Sequence, residues 1–180
     1  MKLMIASDIH GSAYYCAMMM ERFKEEQPEK LLLLGDILYH GPRNDLPKDY
    51  APKEVFAMLN QISDQILCVR GNCDSEVDQM VLNFPILADH MLLYIDGLSI
   101  YMTHGHICNQ HKPLPGTKGI LLCGHTHVPA IEVYENFTYL NPGSVSIPKE
   151  NSRYSYMILK DGVFYWKDLL TKEVYQKYSS

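Results

Sequence analysis

The sequence lacks an apolar run long enough to cross a bilayer, and the apolar stretch at residues 2–6 is too short for the core of a signal peptide. It also lacks a C-x-x-C pair, and its five cysteines are an odd number that lie mostly in apolar surroundings. These absences argue against a membrane protein and against a disulfide scaffold. They favour a cytoplasmic chain in a reducing compartment.

An excess of basic residues is also absent. The chain has 16 Lys and Arg against 21 Asp and Glu, which gives a formal net charge of −5. A sequence-independent nucleic-acid binder needs a basic surface, so we expect no nucleic-acid partner. A phosphate substrate stays possible, because bound cations can make one site positive within a negative chain. With 180 residues the chain suits one domain over 1–180, with a polar tail from about residue 172.

Short apolar runs alternate with amphipathic segments in the first half of the chain. Strands are predicted at 2–6, 31–34 and 66–69, with helices at about 12–27 and 53–62 and a short one at 75–82. The second half is rich in strands, with hairpins predicted at 91–102, 131–140 and 154–169. This pattern favours a single-domain α/β fold built as a two-sheet sandwich rather than as one doubly wound sheet.

Five predicted buried strands each end in side chains that can bind a metal ion. These side chains are Asp8 and His10, Asp36, Asn72, His104, and His125 with His127. Ligands of α/β proteins bind beyond the carboxyl ends of strands, where neighbouring parallel strands converge. Each residue alone also fits a plain role, as a helix cap, a turn residue or a hydrogen-bonded core histidine. Five such roles at five strand ends would require five independent coincidences.

A glycine accompanies the motif at each of these strand ends. The motifs are Asp8-x-His10-Gly11, Gly35-Asp36, Gly71-Asn72, His104-Gly105 and Gly124-His125-x-His127. In order and spacing they resemble the motif series of the calcineurin-like metallophosphoesterases, from residue 4 to about residue 149. The stretches at 41–44, 70–78 and 141–149 are similar to those of small bacterial phosphodiesterases of the YfcE type. The resemblance implies the αββα sandwich of that family.

The resemblance also implies a dinuclear metal centre. One cation would be held by Asp8, His10, Asp36 and His127. The second would be held by Asp36, Asn72, His104 and His125. A mixed oxygen and nitrogen set without a thiolate suits manganese, with zinc or iron as alternatives. Such a pair acidifies a bridging water, and the resulting hydroxide would attack phosphorus in line.

The expected function is hydrolysis of a small phosphodiester. A phosphomonoesterase or nucleotide phosphatase on the same site is the nearest alternative. A non-catalytic metal-binding interaction scaffold on the same fold is the alternative of another class, and the presence of all seven ligand residues argues against it. Exposed apolar residues in the later hairpins leave a homo-oligomer possible.

The chain departs from many of these relatives after the Gly-Asn pair, where they carry a histidine thought to protonate the leaving oxygen. In those relatives an acidic residue follows the histidine and orients it. Here the two positions are Cys73 and Asp74, which are therefore candidate catalytic residues. His106 lies two residues after His104 and is the candidate substitute donor; its alternative is a histidine that only supports the ligands or lies exposed. Arg43 and Asn44 are candidate substrate contacts, since Arg can take phosphate oxygens bidentately. Their alternative is an ordinary surface loop. Another candidate is Asn141, which could orient a ligand histidine or serve only in the Asn-Pro-Gly turn.

A cysteine thiol, whose pKa is ordinarily about 8.5, donates a proton to an alkoxide poorly compared with imidazolium. We therefore predict a preference for esters with acidic leaving groups, such as aryl diesters. The substitution Cys73→His should raise kcat/KM for poor leaving groups by up to roughly 10²–10⁴-fold and change little for acidic ones. Rates on diesters of graded leaving-group pKa check this. An unchanged dependence on leaving-group pKa would show that the account of Cys73 is wrong.

Overall fold

The computed structural model describes residues 1–179, and in that range the chain forms eleven strands and three α-helices. The strands are β1 Lys2–Ala6, β2 Lys30–Leu33, β3 Ile66–Cys68, β4 His90–Ile95, β5 Leu98–Thr103, β6 Gly119–Leu122, β7 Ala130–Val133, β8 Phe137–Asn141, β9 Ser155–Lys160, β10 Val163–Asp168 and β11 Val174–Ser179. The helices are α1 Ala13–Glu26, α2 Pro52–Leu59 and α3 Glu76–Gln79. None of them is both long enough and apolar enough to span a membrane.

The strands form two mixed sheets. The first has the order β11-β10-β9-β1-β2-β3, in which β1, β2 and β3 are parallel. The second has the order β4-β5-β6-β8-β7, in which β5, β6 and β8 are parallel. The predicted two-sheet α/β sandwich is confirmed, and all three predicted hairpins are present.

The core has two main layers because successive side chains of a strand point to opposite faces. Leu3 and Ile5 of β1 face the second sheet and pack with Ile100 and Leu122. The alternate residues of the same strand face the other way and pack with apolar residues of α1 and α2. Burial on both faces explains why the first strands are continuous apolar runs rather than alternating ones.

The outer face of the second sheet is covered differently from that of the first. Its small apolar cluster includes Leu121 and Tyr139 and draws no residue from any helix that the structure describes. The segment 104–118 contains no helix, and the hydroxyl of Tyr101 donates a hydrogen bond of 3.0 Å to the carbonyl of Gly116 in it. A loop therefore stands where the αββα arrangement predicts a second helical layer.

The helices begin where the sequence predicts and end earlier. Ser12 caps α1 by accepting a hydrogen bond from the Tyr15 amide, and Pro52 opens α2. Helix α2 stops at Leu59 and gives way to a 3₁₀ segment, Asn60–Gln65. Helix α3 has only four residues instead of the predicted eight. The shortening is greatest in α3, in which no residue is buried. Short helices depend on tertiary packing for their stability, and α3 has little of it.

The structure adds a strand to the segment that the sequence marks as a polar tail from about residue 172. The segment forms β11, which pairs antiparallel with β10 at the edge of the first sheet. Tyr175 and Tyr178 pack against the inter-sheet core, and the hydroxyls of Tyr178 and Thr138 lie 2.8 Å apart. An edge strand exposes one face and one backbone edge, so its polar composition resembles that of a disordered tail.

Because β11 contributes two tyrosines to the core, deletion of residues 173–180 should lower the free energy of unfolding by about 2–4 kcal/mol. The milder variant Tyr178→Phe, which removes only the hydroxyl, should lower it by about 0.5–1.5 kcal/mol. Urea denaturation measures both. A deletion variant with the parent midpoint would show that the strand adds nothing to stability.

Candidate metal centre

The candidate ligands follow strands of both sheets. Those at residues 8–10, 36 and 72 come after β1, β2 and β3, and those at 104 and 125–127 come after β5 and β6. The amide of Asp8 donates to the carbonyl of Gly35, and the amide of Gly124 donates to the carbonyl of His104. All seven side chains therefore gather at one end of the sandwich, where the carboxyl ends of two sheets meet.

The first group of ligand atoms joins β1 to β6. The Nε2 atoms of His10 and His127 lie 3.2 Å apart. Oδ1 of Asp8 lies 3.6 Å from Nε2 of His10 and 3.3 Å from Nε2 of His127. All three side chains are buried, and their ligand atoms fall within 4.8 Å of one another, a spacing that suits a metal ion.

A second group surrounds His104. Its Nε2 lies 3.1 Å from Oδ1 of Asn72, 3.2 Å from Nδ1 of His125 and 3.4 Å from Oδ2 of Asp36. The same Asp36 oxygen lies 3.6 Å from Nε2 of His10 in the first group. The Asp36 carboxylate thus lies between the two groups, as a bridging ligand would.

Three of the histidines have their tautomer set by the backbone. Nδ1 of His10 lies 2.8 Å from the Tyr39 carbonyl, and Nδ1 of His104 lies 2.6 Å from the Leu34 carbonyl. Nδ1 of His127 is likewise 2.6 Å from a carbonyl, that of residue 147. A carbonyl only accepts, so each Nδ1 carries the hydrogen. In the neutral ring Nε2 then turns its lone pair to the cluster, as metal-binding histidines require.

The cluster leaves one carboxylate oxygen without a hydrogen bond. Oδ2 of Asp8 accepts from the backbone amide of His125 at 3.0 Å, but the buried Oδ1 has no hydrogen-bond partner among the described residues. Burying an unsatisfied charged oxygen is costly. A cation between Asp8 and the two nearby imidazoles would remove that cost, so the donor set fits a divalent metal.

Backbone strain is concentrated in the same residues. Five of the seven candidate ligands have a left-handed φ, between 48° and 68°: Asp8, His10, Asp36, His125 and His127. Side chains other than glycine adopt this region at a cost of order 1 kcal/mol each, and such strain persists where the surrounding structure enforces it. The strain is the expected cost of turning the chain sharply enough to aim these side chains at one point.

Charge interactions inside the cluster are strong. Burial raises the pKa of Asp8, but the interactions with His10 and His127 outweigh it and hold that pKa well below its usual range. Burial lowers the pKa of His104, yet the nearby Asp36 and Asp8 carboxylates raise it to about 9. Burial and then the charge of His104 lower the pKa of His125 to about 4. A histidine ligates a metal ion only through a deprotonated ring nitrogen, so a metal ion at His104 competes with a proton.

Asp74 does not point into the site, which corrects its assignment to the catalytic residues. Its Oδ1 accepts from the Ile37 amide at 2.9 Å, and its Oδ2 accepts from the amides of Asp36 and Gly71 at 2.9 and 2.7 Å. The buried carboxylate therefore ties the loop after β2 to the loop after β3. It positions Asp36 and the Asn72 loop instead of orienting a proton donor.

Glycine at position 71 makes the approach of these two loops possible. A Cβ there would lie 2.1 Å from Oδ1 of Asp36. Gly124 has the same role beside β1, since its Cβ would meet Oγ of Ser7 at 2.0 Å and Oδ2 of Asp8 at 2.9 Å. The carboxylates occupy the space that any larger residue would fill.

Cys73 lies at the edge of the cluster. Its amide donates to Oδ1 of Asp36 at 2.8 Å, and its Sγ accepts from the Asn72 amide group at 3.2 Å. Burial and then the Asp36 charge raise its pKa to about 12. Sγ falls within 4.8 Å of the ligand atoms of His10 and Asp36, so a thiol does lie beside the oxygen and nitrogen donors.

His106 and the loop after β2 also border the site. The His106 ring centroid is 5.3 Å from that of His104, and burial and the His104 charge lower its pKa. Arg43 and Asn44 line the pocket above the ligands. The Asn44 side chain donates to the His40 carbonyl at 2.8 Å, so it also closes its own loop.

Of the two roles predicted for Asn141, the structure shows the turn contact, in which the amide of Gly143 donates to its Oδ1 at 2.8 Å. Its amide group donates to the carbonyl of Gly124 and to the hydroxyls of Thr126 and Tyr139, and no ring of a candidate ligand is among its described hydrogen-bond partners. It therefore contacts the two residues on either side of His125, the Gly124 carbonyl and the Thr126 hydroxyl.

Sequence reasoning missed three residues at the site. Lys149 lines the same pocket as Arg43. The hydroxyls of Ser144 and Ser146 both donate to the carbonyl of Asp8, at 2.8 and 3.1 Å. The only signal for them was their place in the stretch 141–149, which carries no motif of metal-binding side chains.

Comparison with known proteins gives a consistent result. The family model of the calcineurin-like phosphoesterase superfamily domain matches residues 1–161. The chain is 44% identical over 164 residues to phosphodiesterase YfcE of Escherichia coli strain K12, a match that covers 91% of this chain and 89% of that one. A probable metallophosphoesterase of Bacillus subtilis, YsnB, is 25% identical over 167 residues, covering 88% and 83% of the two chains.

Solved structures agree with these matches. The E. coli phosphoesterase Yfce superposes with a TM-score of 0.96 at 40% identity over 99% of both chains. Vps29 of Entamoeba histolytica complexed with zinc superposes with a TM-score of 0.67 at 20% identity, over 99% of this chain and 98% of that one. The second likeness shows a shared fold only.

The contacts of Asp74 generate a prediction. In Asp74→Asn an amide group must face at least one of three backbone amides, which will displace Asp36, so manganese affinity should fall about 10–100-fold. Calorimetric titration measures this. The matched control is Asp168→Asn, since that buried carboxylate accepts from the amides of Leu170 and Thr171 in another part of the molecule. It should lower stability and leave metal affinity unchanged; equal losses in both variants would contradict the positioning role.

Proposed function

The chain belongs to the calcineurin-like phosphoesterase superfamily and is a metal-dependent phosphoric ester hydrolase, and from that premise we propose that it is a dinuclear phosphodiesterase. The observation that carries the proposal is the position of Asp36. Its Oδ2 lies 3.6 Å from His10 in one ligand group and 3.4 Å from His104 in the other. A carboxylate shared by two groups is the arrangement that a two-metal site needs.

We assign each ion to one ligand group. The first would be held by Asp8, His10, His127 and one oxygen of Asp36. The second would be held by Asp36, Asn72, His104 and His125. The short distances within each group and the unsatisfied Asp8 oxygen support this division. Manganese is our choice for both ions because the set is rich in oxygen and imidazole donors, and the nearby Cys73 thiol keeps zinc or iron as alternatives.

When bound, two such cations supply an acidified bridging water as the nucleophile and neutralise the charge of the phosphoryl oxygens. The protein does the positioning. Arg43 and Lys149 line the pocket over Asp36 and the paired histidines, and they give it two positive charges that no ligand side chain supplies. We propose that these two residues bind the non-bridging oxygens of the phosphate.

Cys73 bears on the choice of ester. A thiol protonates a departing alkoxide less efficiently than an imidazolium does, and burial at this position raises the pKa of Cys73 further. Alcohols that leave as stable anions, such as phenols, need no proton donor. We therefore favour diesters with aryl groups, and we retain His106 as a candidate donor because its ring lies beside that of His104.

Two alternatives stay open to the same test. A phosphomonoesterase would use Arg43 and Lys149 to balance the extra charge of a monoester, and the ratio of rates on aryl mono- and diesters separates the two. A non-catalytic scaffold is disfavoured by the retention of all seven ligand side chains.

We also propose that the substrate is small and is not a nucleic acid, because the net charge of the chain is −5. We propose that the chain works in the cytoplasm, because its five cysteines are free.

Replacement of the shared carboxylate tests the dinuclear site. Asp36→Asn should reduce bound manganese from two ions per chain to one or none, and should lower hydrolysis of bis(4-nitrophenyl) phosphate by more than about 100-fold. Elemental analysis after manganese loading gives the stoichiometry. Asp96→Asn is the matched control, since Asp96 has a similar left-handed φ of 50° in the turn between β4 and β5.

The parent enzyme defines the remaining outcomes. Two manganese ions and faster turnover of the diester than of 4-nitrophenyl phosphate support the proposal. A parent protein that binds one ion, or that prefers the monoester, would show that the dinuclear phosphodiesterase is the wrong assignment.

A further inference from the structure

An apolar cleft of about 410 Å³ opens beside the metal centre. It is lined by the aromatic residues Tyr39, Tyr50 and Phe56 and by aliphatic residues that include Val77 and Val81. The volume lies within the range of about 300–1,000 Å³ that is usual for small-molecule sites.

The cleft is continuous with the metal centre through two residues. Cys73 lines both the cleft and the pocket that contains Asp36, Asn72 and His125. Tyr39 accepts the hydrogen bond of His10 through its carbonyl, and the same residue, 42% exposed, lines the cleft. A group bound in the cleft therefore lies one side chain away from the candidate metal ligands.

The walls of the cleft are held in place by local structure. Tyr50 pairs with Ser12 through the backbone, and its ring packs edge-on against His40 at 5.2 Å between centroids. On the opposite wall, Ser75 and Asp78 form a reciprocal capping box that fixes the single turn carrying Val77. A site that is already ordered loses little entropy when it binds a ligand.

Charge separates the cleft from the phosphate pocket. Among its lining residues, all of them within the described chain, the cleft has no Lys, Arg or His, and its one charged side chain, Asp78, already accepts hydrogen bonds from Ser75. The pocket on the other side of Cys73 holds Arg43 and Lys149. An anionic phosphate is thus favoured in the pocket and disfavoured in the cleft.

Apolar side chains in the cleft wall face water. Val77 is 69% exposed and Val81 is 37% exposed, four residues apart on the same side of the chain. When a ligand covers exposed apolar surface, the free energy of the complex falls, so such surface beside a charged pocket favours binding of an apolar group.

We propose that this cleft binds an uncharged aromatic substituent of the ester, while the phosphate occupies the pocket beside Arg43 and Lys149. The inference rests on the proposed phosphodiesterase and adds its substrate class, an ester with at least one flat apolar alcohol group. Tyr39 and Tyr50 supply rings for stacking or edge contact, and Val77 covers the open side.

Binding of two phosphonates to the manganese-loaded protein tests the cleft without turnover. Phenylphosphonate and methylphosphonate carry the same charged group and differ only in the substituent. Calorimetry should give a dissociation constant about tenfold lower for phenylphosphonate. That ratio should fall to about threefold in Val77→Asn and close to one in the double variant Val77→Asn/Val81→Asn.

The matched control is Val133→Asn, because Val133 is 74% exposed and lies on β7, outside the cleft. It should keep the parent ratio. A parent that hydrolyses bis(4-nitrophenyl) phosphate but binds both phosphonates equally would overturn the cleft and leave the phosphodiesterase intact. A parent that binds neither phosphonate and hydrolyses no ester would overturn both. A ratio lowered equally by Val133→Asn would also refute the cleft.

Discussion

The arrangement of the site depends on the Asp36 carboxylate and on what holds it between the two sheets. Its Oδ1 accepts the Cys73 amide, and its Oδ2 lies within 3.6 Å of a histidine from each ligand group. Asp74 fixes the backbone amide of Asp36 from behind, and Gly71 leaves room for the carboxylate. The loop after the edge strand β3 thereby places one side chain of the neighbouring loop where two metal ions would meet.

This placement destabilises the fold locally, and packing elsewhere in the molecule must offset the loss of free energy. Several charges are buried together, and five of the seven candidate ligands have left-handed backbone conformations. Two apolar layers, one under the helices and one between the sheets, hold the strand ends in position despite that strain. The same buried charges make the cluster suited to a cation, because an ion beside Asp8 and Asp36 would replace repulsion and lost hydration by coordination.

Cys73 marks the boundary between two chemically different halves of the site. On one side lie the ligands and the cations Arg43 and Lys149, and on the other lies a cleft of aromatic and aliphatic side chains. A thiol there provides a proton to a departing alkoxide less efficiently than an imidazolium would, and the cleft offers apolar surface to the alcohol group. Both properties favour esters whose alcohol group is flat and uncharged before cleavage and leaves as a stable anion. The chemistry of the leaving group and the surface proposed to bind it therefore agree.

The sequence by itself predicted which residues are the candidate ligands and where the first ten strands lie along the chain. It could do so because each buried strand is a continuous apolar run, and because Asp36, His104 and His125 follow such runs almost at once. The roles of Asp74 and Asn141, the contribution of Lys149 and the strand at Val174–Ser179 were decided only by the tertiary structure. These features depend on hydrogen bonds to backbone groups and on packing between segments far apart in the chain. Backbone amides and carbonyls are the same at every position, so no local pattern of side chains reveals which of them a buried carboxylate or amide will meet.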